Sequence, residues 1–358
     1  MNEQRQEQLS RVVIKGFKSI KECELELKNI NVLIGANGAG KSNFLSIFEL
    51  LQNISTQNLS VYAAQRGISS LFYNGVETTD SILLEFYFNN ESGVDSHPYT
   101  IELLLSDNNN LILHENPAAF QGQLHVPGKP VMNGSVLRPF LKNEWRMYHF
   151  HDTSRSSKIK REHNLSNNKL LQWDASNLAA FLFRLRKHYP IKYKYILDTI
   201  QLIAPYFRDF ELEADENNSE LIVLRWLQKG CEDVFNASQL SDGTLRFICL
   251  ATLLLQPAEL QPATIIIDEP ELGLHPFAIT IFAEMVQKAA VNKQIILATQ
   301  SVELLDKFSP EDVIVVDRRE NGSEFKRLDP EQLAVWLNDD YTLGDLWNKN
   351  ILGGRFAR

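Results

Sequence analysis

A glycine-rich segment between two apolar runs constrains this chain more than any other feature. Residues 35–42 read GANGAGKS and fit the pattern G-x-x-x-x-G-K-[ST]. The preceding run, Ile30–Ile34, is apolar and β-branched and predicts a buried strand, whereas residues 43–51 carry apolar side chains at helical spacing. The order strand, glycine loop, helix predicts a phosphate site in which backbone N–H groups and the positive end of the helix face an anion.

Nucleotide binding is the chemistry expected of this loop. We expect the Lys41 ammonium group to reach the β- and γ-phosphates and the Ser42 hydroxyl group to coordinate Mg²⁺. The loop residues predicted to bind ATP are Asn37, Gly38, Ala39, Gly40, Lys41, Ser42 and Asn43. A glycine-rich turn without a ligand is the alternative, and it leaves the fit of both flanks unexplained.

Two adjacent carboxylates follow a second apolar run. Residues 263–267 predict a buried strand of a parallel sheet, and Asp268 and Glu269 come directly after it. Because ligands gather at the C-terminal ends of such strands, we expect Asp268 to hold Mg²⁺ and Glu269 to orient or deprotonate the attacking water. The alternative is a strand that ends in a solvated acidic turn.

A second helix start also suits an anion. Leu240-Ser241-Asp242-Gly243-Thr244 precedes the apolar helical pattern of residues 245–256, so that the Ser241 hydroxyl and the Gly243 backbone lie at a positive helix end. One nucleotide does not usually reach both sites of the same chain, which favours a dimer in which each subunit supplies half of the site. An ordinary serine or aspartate N-cap is the alternative.

Together these segments resemble the ABC-type ATPase head of the SMC, RecF and OLD-like proteins, including standalone defence-associated ATPases. The resemblance covers residues 1–90 and the chain from residue 206 onward. It implies that ATP is sandwiched between the phosphate loop of one subunit and the signature, Leu240–Thr244, of the other. It also implies that Lys18 lies near the nucleotide and that residues 271–276 form the D-loop.

The fold expected from this resemblance is an α/β P-loop NTPase of the ABC-head type. It has a mixed or parallel sheet, an N-terminal antiparallel β-layer and a mostly helical insertion. The predicted divisions are residues 1–106 for the first part of the head, 107–205 for the insertion and 206–358 for the second part.

The chain departs from the family pattern in three places. Gln300 stands where related heads carry a switch histidine; because its amide never becomes cationic, we expect Gln300 to act in catalysis with slow turnover. Gln65 is a candidate for the Q-loop glutamine or a surface residue. The insertion has no heptad pattern, which excludes a long coiled coil.

The insertion is strongly basic. Residues 138–194 hold thirteen lysines and arginines and four acids, a net charge of +9 in a chain whose total is −9. Aromatic residues are interleaved with these charges, a pattern that suits DNA through phosphate contacts and base stacking. The segment fits an acidic protein partner or a solvated face as well. The pair His149 and His151 lacks the spacing and second ligand pair of a zinc site.

Cysteine content and the distribution of apolar residues bear on the cellular compartment. Three scattered cysteines without C-x-x-C spacing suit a reducing, cytoplasmic compartment, and the polar N-terminus does not fit a signal peptide. The apolar run from Phe247 to Leu255 is too short to span a bilayer, so no membrane association is expected.

The resemblance implies an ATPase that uses ATP and Mg²⁺ and regulates or assembles a separate effector. The ATPase is expected to form a homodimer, or a higher oligomer of dimers, around ATP. That effector is expected to be a protein such as a TOPRIM-like nuclease in an anti-phage or toxin–antitoxin-like system, because residues 317–358 are too few for a nuclease domain of the chain's own. The alternatives are a RecF-like DNA repair ATPase with ATP-gated DNA binding and a scaffold in which bound ATP is structural.

Overall fold

A computed structural model describes residues 8–89, 98–106, 108, 110–116, 145–214, 218–338 and 341–354. The strands are β1 (Leu9–Phe17), β2 (Ile20–Glu26), β3 (Ile30–Ile34), β4 (Ser81–Phe88), β5 (Tyr99–Leu105), β6 (Leu111–Asn116), β7 (Trp145–Tyr148), β8 (His163–Asn164), β9 (Phe207–Glu211), β10 (Leu221–Ile222), β11 (Arg225–Gln228), β12 (Val234–Asn236), β13 (Thr264–Asp268), β14 (Gln294–Thr299), β15 (Val313–Arg319) and β16 (Gly322–Arg327). The α-helices are α1 (Lys41–Ser55), α2 (Leu59–Arg66), α3 (Leu178–His188), α4 (Pro190–Ile203), α5 (Asp242–Leu255), α6 (Pro276–Ala289), α7 (Val302–Leu305), α8 (Pro330–Asn338) and α9 (Leu343–Asn348).

The chain divides into two compact units. The first comprises residues 1–146 and 296–358, and the second comprises residues 147–295. The divisions predicted at residues 106 and 205, between the two parts of the head and the insertion, stay predictions.

An antiparallel sheet of five strands, in the order β2-β1-β4-β5-β6, forms one layer of the first unit. Alternation in β4 buries Ile82, Leu84, Phe86 and Phe88 on one face. The Trp145 ring stacks on Phe88 with centroids 5.9 Å apart, and it meets the edge of Phe48 in α1 at 5.7 Å. Aromatic packing therefore joins the phosphate-loop helix to the antiparallel layer, which confirms the predicted N-terminal β-layer.

A second sheet of the first unit positions the glycine loop. Its strands lie in the order β16-β15-β3-β14, with β15 parallel to β3 and antiparallel to β16. The fold is thus α/β with a mixed sheet, as predicted. Strand β3 is fully apolar after Asn31, and the loop of residues 35–40 leaves its C-terminal end.

The second unit contains α3 to α6 and small antiparallel sheets. Helix α5 is buried from Thr244 to Leu255, and β13 is apolar until it reaches Asp268. The backbone N–H of Gln294, at the start of β14, donates to the Ala263 carbonyl at 2.9 Å. The Trp226 ring stacks between Phe207 and Phe235, which joins β9, β11 and β12.

Two local differences from the expected elements have a clear physical cause. The apolar pattern from Leu170 to His188 predicts a helix, but α3 begins only at Leu178. The buried Asn177 side chain donates to the carbonyls of Asn167 and Leu170 at 2.8 and 2.9 Å and folds the preceding residues into a loop. The run Leu221–Trp226 has the composition of a single strand, but it splits into β10 and β11, which pair with different strands. The weak pattern and four prolines of residues 107–168 predict a loop-rich region. Its described residues include β6, β7 and β8, and residues 117–144 lie outside the described residues.

Candidate functional site

The glycine loop adopts a backbone shape that other residues rarely take. Gly38 and Gly40 have φ values of +77° and +120°. A Cβ atom on Gly40 would lie 2.1 Å from the Ser323 hydroxyl oxygen, whereas one on Gly38 would meet no atom within 4 Å. Gly40 is thus required for close packing, and Gly38 lies at the open tip of the loop beside the exposed Asn37.

Helix α1 begins at this loop in a form suited to an anion. Among the described residues, no side chain caps the helix at its N-cap residue Gly40, and its first turn contains no acidic residue. The first amides of a helix have no intrahelical partner and lie at the positive end of its dipole. No carboxylate in the first turn therefore neutralises the positive end of α1. Ser42 and Asn43 lie in this turn.

The Lys41 ammonium group lies inside the loop. It donates to the carbonyl oxygens of Gly35 and Ala36 at 2.6 and 3.1 Å, and the residue is 5% exposed. A cation beside the first amides of a helix makes this segment electropositive and suits it to an anion such as phosphate. The residues predicted to bind phosphate, 37–43, thus form one continuous segment, the loop tip and the first residues of α1.

Lys18 lies next to this segment. It takes a φ of +48° in the turn between β1 and β2, and its Nζ donates to the Ser46 hydroxyl of α1 at 2.7 Å. The Asn43 amide donates to Ser19 Oγ at 2.7 Å, which fastens the same turn to the start of α1. Burial, reinforced by the nearby Arg66 charge, lowers the Lys18 pKa to about 8.

Gln300 belongs to the first unit as well. It follows β14, the neighbour of β3, and Ser301 then caps α7 by accepting the Leu304 N–H at 3.1 Å. Gln300 is half-buried at this strand end. The exposed Gln65 lies on α2.

The predicted carboxylate pair lies in the second unit, at the end of β13. Glu269 has a φ of +42°, a left-handed conformation that costs a non-glycine residue free energy and marks a tightly determined turn. The Asp268 carbonyl accepts a hydrogen bond from His151 Nε2 at 2.8 Å. Asp268 and Glu269 are both half-buried.

The signature helix α5 begins with a side-chain cap. Ser241 Oγ accepts the Thr244 N–H at 3.1 Å, so this hydroxyl satisfies part of the helix start. A Cβ atom on Gly243 would lie 2.3 Å from the Gly273 carbonyl oxygen. The absence of a side chain at Gly243 therefore lets the helix start pack directly against the segment predicted as the D-loop.

Sequence reasoning missed the roles of two residues, Arg246 and Lys160, in holding this region together. Arg246, which is 7% exposed, donates through Nε to the Phe150 carbonyl at 3.0 Å and through Nη2 to the His151 carbonyl at 3.2 Å. Lys160 Nζ lies 3.8 Å from Asp242 Oδ1. Residues 150–160 thereby contact both the signature helix and the end of β13. The sequence signal that could have identified Arg246 is its position as a basic residue within the apolar helical pattern of residues 245–256.

The predicted site residues fall into two sets. The first unit holds Lys18, residues 37–43 and Gln300, and the second holds Ser241, Gly243, Asp268 and Glu269. The residues fit the groups expected of them, because the loop's glycines and Lys41 suit phosphate, while a serine hydroxyl and a carboxylate are hard oxygen donors that suit Mg²⁺. Among the described residues, no cluster of three or more histidine, cysteine or acidic residues could hold a metal ion by itself. In the described part of the chain, every helix is too short or too polar to cross a membrane.

Solved structures of similar fold include SMC heads. The SmcHead bound to the C-winged helix domain of ScpA matches with a TM-score of 0.64 and 17% identity, over 91% of this chain and 99% of that one. The Smc head domain with an extended coiled coil bound to the C-terminal domain of ScpA, from Pyrococcus furiosus, gives 0.58 and 15%, over 93% and 99%. The Smc head domain with a coiled coil and joint from Pyrococcus yayanosii gives 0.56 and 12%, over 93% and 99%.

At these identities the likeness shows the fold, that of an SMC-type ABC ATPase head. The search of curated proteins found no match. One protein family matches over residues 30–306, and its description reads "AAA domain, putative AbiEii toxin, Type IV TA system". The match covers most of the chain and includes the glycine loop, the helix start at Ser241 and the Asp268–Glu269 pair, and the chain therefore belongs to this family of AAA domains.

Proposed function

We propose that this protein binds ATP with Mg²⁺, hydrolyses it slowly and dimerises around it. The observation that carries the proposal is the Lys41 ammonium group inside a glycine loop at a helix start without a side-chain cap. Ser42 and Asp268 would hold Mg²⁺, and Lys18 would add positive charge beside the phosphates. Membership of an AAA-domain family supports the same chemistry.

Dimerisation follows from the second anion-type helix start. Ser241 and Gly243 lie at the positive end of α5, in a different unit from the glycine loop. In the proposed dimer, each subunit's signature faces the ATP held by the loop of the other. The similarity to SMC heads, two of whose structures are named as complexes with parts of ScpA, supports an assembly that also binds a further protein.

Hydrolysis is assigned to Glu269 and Gln300. The Glu269 carboxylate would orient or deprotonate the attacking water, and the Gln300 amide would hydrogen-bond that water or the γ-phosphate. A neutral amide offers no positive charge to the transition state, and the expected turnover is therefore slow.

Glu269→Gln tests the proposal directly. It keeps the side-chain shape and removes the base, so the ATPase rate should fall about 100-fold or more while ATP stays bound. Light scattering should then show a dimer that persists with ATP and Mg²⁺. Lys41→Ala, the matched control, should lose both ATP binding and the dimer. A monomeric Glu269→Gln protein with bound ATP would refute dimerisation around ATP, and unchanged turnover would refute the role of Glu269.

The physiological role we propose is regulation or assembly of a separate effector, such as a TOPRIM-like nuclease in an anti-phage or toxin–antitoxin-like system. The family description, which names a type IV toxin–antitoxin system, supports this setting. Co-purification with the Glu269→Gln dimer in ATP should recover a nuclease from the native host. Recovery of DNA alone would favour the RecF-like alternative, and recovery of neither would favour the scaffold alternative.

A further inference from the structure

The signature helix carries a carboxylate where an anion-binding helix start would best have none. Asp242 is the first residue of α5, between Ser241 and Gly243, and its side chain is 67% exposed. A carboxylate in the first turn cancels part of the positive helix end and repels an approaching phosphate. By contrast, the first turn of α1 contains no acid. The proposed phosphate site at α5 therefore needs a source of positive charge.

Lys160 supplies a positive charge at this position. Its Nζ lies 3.8 Å from Asp242 Oδ1, and its side chain is only 8% exposed. The ammonium group also donates to the Thr153 carbonyl, which directs it from a buried position toward the helix start. An ammonium group is rarely buried to this degree unless it is paired.

The segment that carries Lys160 is fixed in place by other contacts. Arg246 of α5 holds the carbonyls of Phe150 and His151, and the Ser157 hydroxyl donates to the Asp152 carbonyl at 2.6 Å. Ile159, next to Lys160, is 2% exposed. Because the segment is anchored on both sides of Thr153, Lys160 reaches Asp242 from a preorganised backbone.

We propose that Lys160 is a positioning residue of the composite ATP site. It neutralises Asp242, so that the start of α5 accepts the γ-phosphate of ATP bound to a second copy of the chain. The inference rests on the proposed ATP-bridged dimer and assigns a member of the basic segment to nucleotide recognition. The positive charge of that segment is then partly a component of the ATPase and not only a surface for DNA or a protein.

The test measures ATP-dependent dimerisation in the Glu269→Gln background. Lys160→Met keeps the length of the buried stem and removes the charge, and it should weaken the dimer about tenfold. Lys158→Met is the matched control, because Lys158 lies two residues away and pairs with Asp174 at 3.3 Å instead of Asp242. That control should dimerise as the parent does.

Rescue separates the electrostatic role from a structural one. Adding Asp242→Asn to Lys160→Met should restore dimerisation, since the charge to be neutralised is gone, although Thr153 still lacks its lysine donor. Asp242→Asn alone should dimerise at least as tightly as the parent, and this variant keeps the test valid even where Lys160→Met folds poorly.

Three results would overturn the assignment. These are an unaltered dimer in Lys160→Met, a double variant no tighter than Lys160→Met, or a weaker dimer in Asp242→Asn alone. Failure of the Glu269→Gln parent itself to dimerise with ATP would be a different result, because it refutes the ATP-bridged dimer and the role of Lys160 with it.

Discussion

Single residues around the glycine loop act through a short chain of hydrogen bonds. Lys18 contacts Ser46, Asn43 contacts Ser19, and the Ser19 and Ser323 hydroxyls lie 2.7 Å apart. The β1–β2 turn is thereby tied to the start of α1. A lysine whose pKa is lowered to about 8 is the titrating member of this group.

ATP affinity should fall as the pH rises through about 8, because Lys18 then loses the charge that attracts phosphate. Isothermal titration calorimetry between about pH 7 and pH 9.5 would measure this dependence. Lys18→Met should bind ATP more weakly and show no such step. Lys21→Met changes an exposed lysine of β2, three residues further along the chain, and should keep the wild-type profile. A step that persists in Lys18→Met would assign the titration to another group.

The same shift has a defined effect on stability. The folded-state pKa of about 8 lies below the ordinary 10.5, so the unfolded chain binds more protons between these values. Lys18 therefore destabilises the fold below about pH 8, and this penalty is relieved as the pH rises toward 10.5. Chemical denaturation of wild type and Lys18→Met over that range should show the difference.

At the scale of elements, packing in the second unit includes a close contact between the start of α5 and a loop. The Gly243 backbone packs on the Gly273 carbonyl, and Gly273 itself has a φ of +72°. Arg246, one turn further along α5, holds the carbonyls of residues 150 and 151. The signature, the D-loop segment and residues 150–160 thus form one packed group.

Gly243→Ala should destabilise this group by about 1–3 kcal/mol, because the added methyl group would lie 2.3 Å from a backbone oxygen that has little room to move. Thermal unfolding would measure the loss, and ATP-dependent dimerisation should weaken as well. Gly230→Ala adds the same methyl group where no atom lies within 4 Å. In that control the only loss of stability should come from the strain of an alanine at a φ of +73°, and the protein should still dimerise.

At the scale of the whole molecule, the charge is unevenly divided. The segment of residues 138–194 carries +9 in a chain of −9. Arg138 and Lys142 lie outside the described residues. Within the described part, Lys158 and Lys194 form ion pairs with Asp174 and Asp198. The basic segment therefore cannot be treated as one uniform surface.

The exposed members of the segment are the appropriate probes for DNA. Changing Arg155, Arg161 and Lys169 together to Glu should remove salt-dependent DNA binding and leave ATP binding intact. Lys160 is excluded from this set, because its buried charge faces Asp242. Fluorescence anisotropy at several salt concentrations would measure the change.

A control with the same change of charge uses exposed lysines outside the segment, namely Lys21, Lys229 and Lys326 changed to Glu. It should lower DNA affinity less than the first triple variant. Equal losses would show that net charge and not the basic segment governs binding. No measurable DNA binding by the wild-type protein would leave a protein partner or a solvated face as the role of the exposed charges.

The sequence by itself determined the parts of the site that are local. The glycine loop between β3 and α1, the carboxylates at the end of β13 and the capped start of α5 are each encoded within short stretches, because backbone conformation and periodicity depend on neighbouring residues. Local pattern was not sufficient for residues 170–177, where one buried asparagine overrides the helical periodicity.

Only the tertiary structure decided which distant residues meet. The contacts of Lys160 with Asp242 and of Arg246 with the carbonyls of Phe150 and His151 join residues more than eighty positions apart. The approach of Gly243 to the Gly273 carbonyl likewise joins the start of α5 to a distant loop. Such pairs arise from how the elements pack, and no local pattern of hydrophobicity or turn residues specifies them. The charge of Lys160 was visible in the sequence, but its partner was not.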